Sequence, residues 1–235
     1  MYMNIHFDNS WNKISISLSG GADSALLAFL ICQQITNQEL HIISHVRCWK
    51  TKPWQRNDAL GVYNWLQIKF PNVKMFRHEN FIPPEMEWGA LGPTLTDEYG
   101  KTVSGDNIEL RSFAEYICYS YDIDVYYNAV TRNPKAVEFD GMHTRDIDPT
   151  EYNKHLEYTT HMGKLAIHPF RFLEKKEILT EYRKQNLLEL FELTRSCEGV
   201  FDDLNYKNYI TGQYVPLCNT CFWCKEREWA IEQSK

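Results

Sequence analysis

The sequence predicts an α/β domain built on a mostly parallel sheet. Apolar runs of strand length alternate with stretches of helix length along most of the chain. The first strand opens through a glycine-rich turn into a helix, which is how a βαβ unit begins. No internal repeat or low-complexity tract breaks the alternation. At 235 residues, with 43% hydrophobic and 14% aromatic content, the chain is long and apolar enough for a sizeable core.

Lys13–Leu18 reads KISISL, with isoleucine and leucine on one side and serine on the other, a short strand. Ala22–Gln34 places apolar residues at helical spacing. HIISHV (His41–Val46) is the second strand, Asp58–Phe70 the next helix, and NVKMFRH (Asn72–His78) the third strand. The proline-, glycine- and tryptophan-containing run from Phe81 to Gly100 is a long connection, where functional loops are often found. Asn107–Ile123 reads as a helix and Asp124–Val130 as the strand after it. The polar stretch Thr131–Asn153 is a surface excursion, and Phe172–Leu188 an amphipathic helix ending near LFELT.

A net charge of −6 gives no strong electrostatic case for nucleic acid, which usually meets a basic face or arm. No apolar run approaches membrane-spanning length, and MYMNIHFDNS lacks the layout of a secretion signal, so a reducing cytoplasm is expected and no membrane partner. The seven cysteines are odd in number and crowd toward the end, which argues against a disulfide framework. Cys32 falls in an apolar helical stretch and reads as core, as do Cys48 and Cys118.

Ser19-Gly20-Gly21-Ala22-Asp23-Ser24 sits between the first strand and the first helix. Adjacent glycines destabilise a strand or helix interior but let main-chain amides converge on a ligand, and the helix start adds its positive end. That makes an anion pocket suited to phosphate, with Ser19 and Ser24 as hydroxyl donors. Asp23 is the odd member, since a carboxylate repels phosphate; it suits a helix cap or a Mg²⁺ ligand. The pattern has neither the lysine of a Walker A loop nor the spacing of the dinucleotide fingerprint.

In the tail, Cys218-x₂-Cys221-x₂-Cys224 lets neighbouring sulfurs converge on one ion, and Cys197 supplies a fourth thiolate. Four thiolates without histidine describe a closed, structural Zn²⁺ site; an iron–sulfur cluster is the metal alternative, and a buried or redox-active cysteine group the non-metal one.

SGGADS resembles the signature of the PP-loop (N-type) ATP pyrophosphatases, whose loop grips the β- and γ-phosphates of ATP while the nucleotide is split to AMP and pyrophosphate. The resemblance implies a Rossmann-like fold of the adenine nucleotide alpha hydrolase type. Residues 1–193 would form the ATP-binding domain and 194–235 a small zinc-binding segment, with ATP, Mg²⁺ and Zn²⁺ bound and the second strand against adenine. Within that group the tail resembles the 7-cyano-7-deazaguanine (preQ0) synthases of queuosine precursor synthesis. Thr194, Ser196, Cys197, Cys218, Cys221, Cys224 and Arg227 match, as do Pro169, Lys175, Glu177 and Ile178 upstream and Gln55 and Arg56 in the turn after the second strand. The chain departs from the pattern at Asn57, where that turn has histidine, and lacks a clear Tyr-Pro-Asp-Cys-Arg segment; twenty residues separate Cys197 from Cys218.

The resemblance implies a reaction in which ATP adenylates the carboxylate of 7-carboxy-7-deazaguanine and ammonia displaces AMP, with Asp23, Lys175 and Arg56 as the catalytic set. Arg132 is a weaker candidate cation. The small-molecule partners are then a deazapurine acid and ammonia, and the chain is compatible with a homodimer. Another PP-loop adenylating enzyme, a tRNA thiolase or an amidase on a different acid, is the alternative enzyme, with Cys221 or Cys224 as sulfur carrier in the thiolase. A non-catalytic ATP- and zinc-binding module is the non-enzyme alternative. His168 reads as a core histidine, and Phe222 and Trp223 as packing around the metal knuckle.

Overall fold

The computed structural model describes residues 3, 5–47, 54–83, 95, 96, 102, 103, 105–135, 155–160, 163–197 and 217–235. Six strands form one sheet in the order β3-β2-β1-β6-β8-β7, with β1 Lys13–Ser17, β2 Glu39–Val46, β3 Lys74–Phe81, β6 Val125–Tyr127, β7 Glu157–Thr159 and β8 Leu165–Ile167. Five run parallel and β7 closes one edge antiparallel to β8. A separate antiparallel pair joins β4 (Leu95–Thr96) to β5 (Thr102–Val103). The helices are α1 Ala22–Cys32, α2 Gln55–Lys69, α3 Gly105–Ser120, α4 Lys175–Lys184, α5 Leu188–Glu192 and α6 Phe222–Gln233. No helix among the described residues is long and apolar enough to cross a membrane.

The α/β expectation holds. Ile14 and Ile16 of β1 and Leu40 and Ile42 of β2 join the main core with α1 and α4. The alternate residues face α3, where Ile43 packs with Ala114 and Ile117. Helices therefore cover both faces. Ser15 and Ser17 point to the α3 face, and Ser15 is fully buried there beside Cys118, so the serines of KISISL do not mark a solvent side. Burying a hydroxyl is tolerable because Ser17 Oγ reaches Tyr126 Oη at 2.6 Å and Ser15 Oγ reaches the Val125 carbonyl at 3.5 Å.

Two asparagine or aspartate residues stop helices. Asp122 after α3 and Asn186 after α4 adopt φ of 52° and 54°, the left-handed conformation that short polar side chains tolerate. Ile123 N–H then donates to Cys118 O at 2.9 Å and Leu187 N–H to Tyr182 O at 2.8 Å, each closing off a helix end. The single helix expected over Phe172–Leu188 is for this reason two, α4 and α5. Among the described residues, four short strands and a helix escaped the sequence reading: β4, β5, β7, β8 and α6. Cys32 and Cys118 are buried as expected; Cys48 and most of the Phe81–Gly100 and Thr131–Asn153 connections lie outside the described residues.

The strand order reverses at β1: β2 lies on one side of it, while β6, far along the chain, lies on the other. Ligands in open parallel sheets bind outside the carboxyl ends of the strands where this reversal opens a crevice.

Candidate functional site

A cavity of about 400 Å³ occupies that crevice. Ser19, Gly21 and Asp23 line it from the β1–α1 turn, and Asn128–Thr131 from the end of β6. Trp54 and Gln55 reach it from the start of α2, Lys175 from α4, Arg195–Cys197 from the tail, and Trp223 and Glu226 from α6.

The turn is held by its own hydroxyls. Ser19 N–H donates to Ser24 Oγ at 3.2 Å, Gly21 N–H to Ser19 Oγ at 3.3 Å, and Ser24 Oγ–H to Gly21 O at 3.0 Å. The two glycines serve different ends. Gly20 has φ +78°, and a Cβ there would lie 2.7 Å from Ala59 N and 2.9 Å from Asp58 Cβ, so it lets the turn rest on α2. Gly21 has an ordinary extended conformation as the N-cap of α1. A Cβ on it would meet nothing nearer than Ser19 Oγ at 3.4 Å, so its missing side chain leaves room toward the cavity. The residues of SGGADS thus divide: Ser19, Gly21 and Asp23 face the crevice, while Gly20, Ala22 and Ser24 are buried behind it. Tyr182 Oη–H donates to Ala22 O at 2.7 Å from α4, fixing the back of the turn.

Asp23 and Lys175, 152 residues apart, form an ion pair in the cavity wall. Lys175 Nζ also lies 3.9 Å from Glu226 Oε2, and lysine and glutamate are both almost wholly buried. Asp23 Oδ1 has no hydrogen-bond partner among the described residues. An orphaned, buried carboxylate oxygen in the first turn of α1 fits Mg²⁺ accompanying a phosphate, and the space over Gly21 fits the phosphate itself.

The remaining catalytic candidate, Arg56, sits elsewhere. It lies in the first turn of α2, donates to both Glu79 carboxylate oxygens at 3.1 and 3.2 Å, and covers the Phe81 ring. Arg132 pairs with the fully buried Glu174 at 2.9 Å. His168 is buried outside the cavity lining, its pKa pushed down to about 3 by burial and by the Arg171 charge.

Cys197, Cys218, Cys221 and Cys224 bring one sulfur each to within 4.8 Å of the others. The Cys197–Cys218 and Cys218–Cys224 separations are 3.6 and 3.8 Å. Four bonds of about 2.3 Å to one tetrahedral ion put sulfurs about 3.8 Å apart, so the group fits a single Zn²⁺. Trp54 and Leu217 pack around these cysteines, whereas Phe222 joins the main core and Trp223 lines the cavity; this corrects the expectation that Phe222 and Trp223 wrap the knuckle.

The segment Thr194–Cys197 links knuckle and turn. Cys197 belongs to the four-cysteine group, Arg195 N–H donates to Gly20 O at 2.9 Å, and Arg227 of α6 donates to Thr194 Oγ1 at 2.9 Å and Phe191 O at 3.1 Å. Asp58 lies close by beneath Gly20. Burial raises its pKa to about 6, with Arg195 and Arg227 pulling it partly back.

Sequence reading did not find Trp54, Asn128–Thr131, Arg195 or Glu226 as cavity residues. Glu226 had a local signal: Phe222, Glu226, Trp229 and Ala230 fall on one face of a helix, and a carboxylate in that apolar stripe asks for a buried partner.

No protein-family model matches the chain, and no curated protein matches it. Solved structures resemble it at low sequence identity. The U34-tRNA thiolase NcsA from Methanococcus maripaludis, with its [4Fe-4S] cluster, is 14% identical over 94% of this chain and 70% of its own, with a TM-score of 0.46. The NMN synthetase from Francisella tularensis is 16% identical over 96% of this chain and 88% of its own, with a TM-score of 0.47. The NH3-dependent NAD synthetase from Campylobacter jejuni is 18% identical over 97% of this chain and 86% of its own, with a TM-score of 0.43.

Proposed function

We propose that the chain is an ATP-using enzyme of the PP-loop type that adenylates a carboxylate and releases AMP and pyrophosphate. The observation that carries this reading is the Ser19–Ser24 turn lying at the strand-order reversal, with Lys175 and Asp23 paired in the wall of the same cavity. In this reading, amides of the turn hold the β- and γ-phosphates, and Lys175 neutralises charge that builds on the departing pyrophosphate. Asp23 holds Mg²⁺, which supplies further neutralisation of the phosphates when bound. Cys197, Cys218, Cys221 and Cys224 hold Zn²⁺ as a structural ion.

The substrate we favour is 7-carboxy-7-deazaguanine, on the likeness of the cysteine tail and of Gln55, Arg56 and Lys175 to the preQ0 synthases. Adenylation turns the carboxylate oxygen into part of a good leaving group, and ammonia displaces AMP to give the amide. A second ATP activates the amide oxygen, and loss of AMP leaves the nitrile. Incubation with ATP, Mg²⁺, ammonium and the acid, followed by mass spectrometry, is expected to yield the nitrile and two AMP per product. AMP release without nitrile moves the acceptor to another acid; no AMP with any carboxylate sinks the enzymatic reading.

One observation favours sulfur transfer as a second reading. Cys197 lines the cavity, which puts a sulfur beside the proposed nucleotide site. Stoichiometric zinc that survives dialysis supports the structural role, whereas a persulfide on one of the four cysteines supports a thiolase.

A further inference from the structure

We propose that Arg195 is the second phosphate-binding cation of the site, aimed by the cysteine knuckle; this rests on the nucleotide-binding reading above. The need for it follows from charge. Lys175 shares its positive charge with two carboxylates, Asp23 and Glu226, and so neutralises only part of the charge a ligand brings. A triphosphate brings several negative charges, and a second cation in the wall adds to what Lys175 can neutralise. Among the described residues lining the cavity, Lys175 and Arg195 alone carry positive charge.

Arg195 is built into place. Its guanidinium lies over the Trp54 indole at 3.9 Å, a cation–π stack that leaves the in-plane N–H groups directed away from the ring. Its amide is tied to Gly20 O, so the backbone that carries the cation and the phosphate-binding turn move as one. Arg227 secures Thr194 on one side, and Cys197 anchors the other side in the thiolate group. The knuckle is thereby more than a fold staple, because it presents a planar donor to the triphosphate.

The test is calorimetric titration of the full chain with ATP·Mg²⁺, using Arg195→Gln and Arg195→Ala, with zinc content and melting temperature recorded on the same samples. Glutamine keeps a planar group for Trp54 and drops the charge. A charge-assisted hydrogen bond contributes about 1.5–3 kcal/mol, so both variants are expected to bind ATP roughly tenfold to a hundredfold more weakly, with zinc retained. Added guanidinium ion, far below denaturing concentration, is expected to restore part of the affinity of Arg195→Ala, which a purely structural residue does not show. Wild-type affinity in Arg195→Gln overturns the proposal, and so does a loss of affinity that tracks loss of zinc in both variants with no guanidinium rescue. If the wild-type chain itself takes up no ATP, the nucleotide reading falls first and this inference with it.

Discussion

Replacing each glycine of the turn by alanine separates its two tasks. At Gly20 an alanine must adopt φ +78°, which costs about 1–2 kcal/mol. Its methyl would also lie 2.7 Å from Ala59 N and 2.9 Å from Asp58 Cβ, and neither neighbour is the free end of a flexible side chain. The first turn of α2 must move, and overpacking of this kind costs about 1–3 kcal/mol more. The total is about 2–5 kcal/mol, or roughly 4–20 °C of melting temperature in a chain of this size. At Gly21 the backbone is extended and the nearest atom is 3.4 Å away, so alanine should cost under about 1 kcal/mol. Its methyl nevertheless enters the space assigned to phosphate. Thermal unfolding and ATP·Mg²⁺ titration of both variants make the test. Gly20→Ala is expected to melt well below wild type, while Gly21→Ala melts with wild type and binds ATP at least about tenfold more weakly, one tenfold step being about 1.4 kcal/mol. A Gly20→Ala protein melting within 2 °C of wild type, under the roughly 4 °C lower bound, refutes the packing argument. A Gly21→Ala protein with wild-type affinity refutes the phosphate cradle.

Two further outcomes follow from the buried charges. Lys175→Met leaves Asp23 and Glu226 facing each other without their ammonium and should destabilise by about 3–5 kcal/mol, and Glu226→Gln added to it should recover part of that loss in urea unfolding. Asp58 has its folded pKa raised to about 6 from 3.8, so the folded chain holds its proton longer than the unfolded one. Wild type should therefore lose stability relative to Asp58→Asn as pH rises from about 4 to about 6, ending at most about 3 kcal/mol below it and level with it under pH 4. Paired melting curves across pH 4–8 read the difference, and a constant gap contradicts the burial of a carboxylate whose neighbouring cations compensate it only in part.

What the sequence could reveal was whatever is local. The glycine turn, the strand before it, the helix after it and the four cysteines are each set by short-range chemistry, and all were readable. Lys175 was found by likeness, since nothing in FLEKKEIL says which lysine is buried. The strand β8 was missed because LAI is too short to show a period, and it becomes a strand by pairing with β6. Asn128–Thr131 line the cavity only because β6 lies beside β1, a neighbour relation that periodicity does not encode. Arg56 is drawn away by Glu79 on the neighbouring strand, a partner 23 residues on. Arg195 enters through the tail's return to the first turn, which depends on the whole fold.

The central claim is that the Ser19–Ser24 turn holds a triphosphate. Calorimetric titration with an ATP analogue carrying a methylene bridge between the α and β phosphorus atoms tests it without requiring any acceptor. One analogue per chain in the presence of Mg²⁺, bound at least about tenfold more weakly by Gly21→Ala, is the predicted result. No heat at millimolar analogue, or uptake unchanged in that variant, contradicts the account.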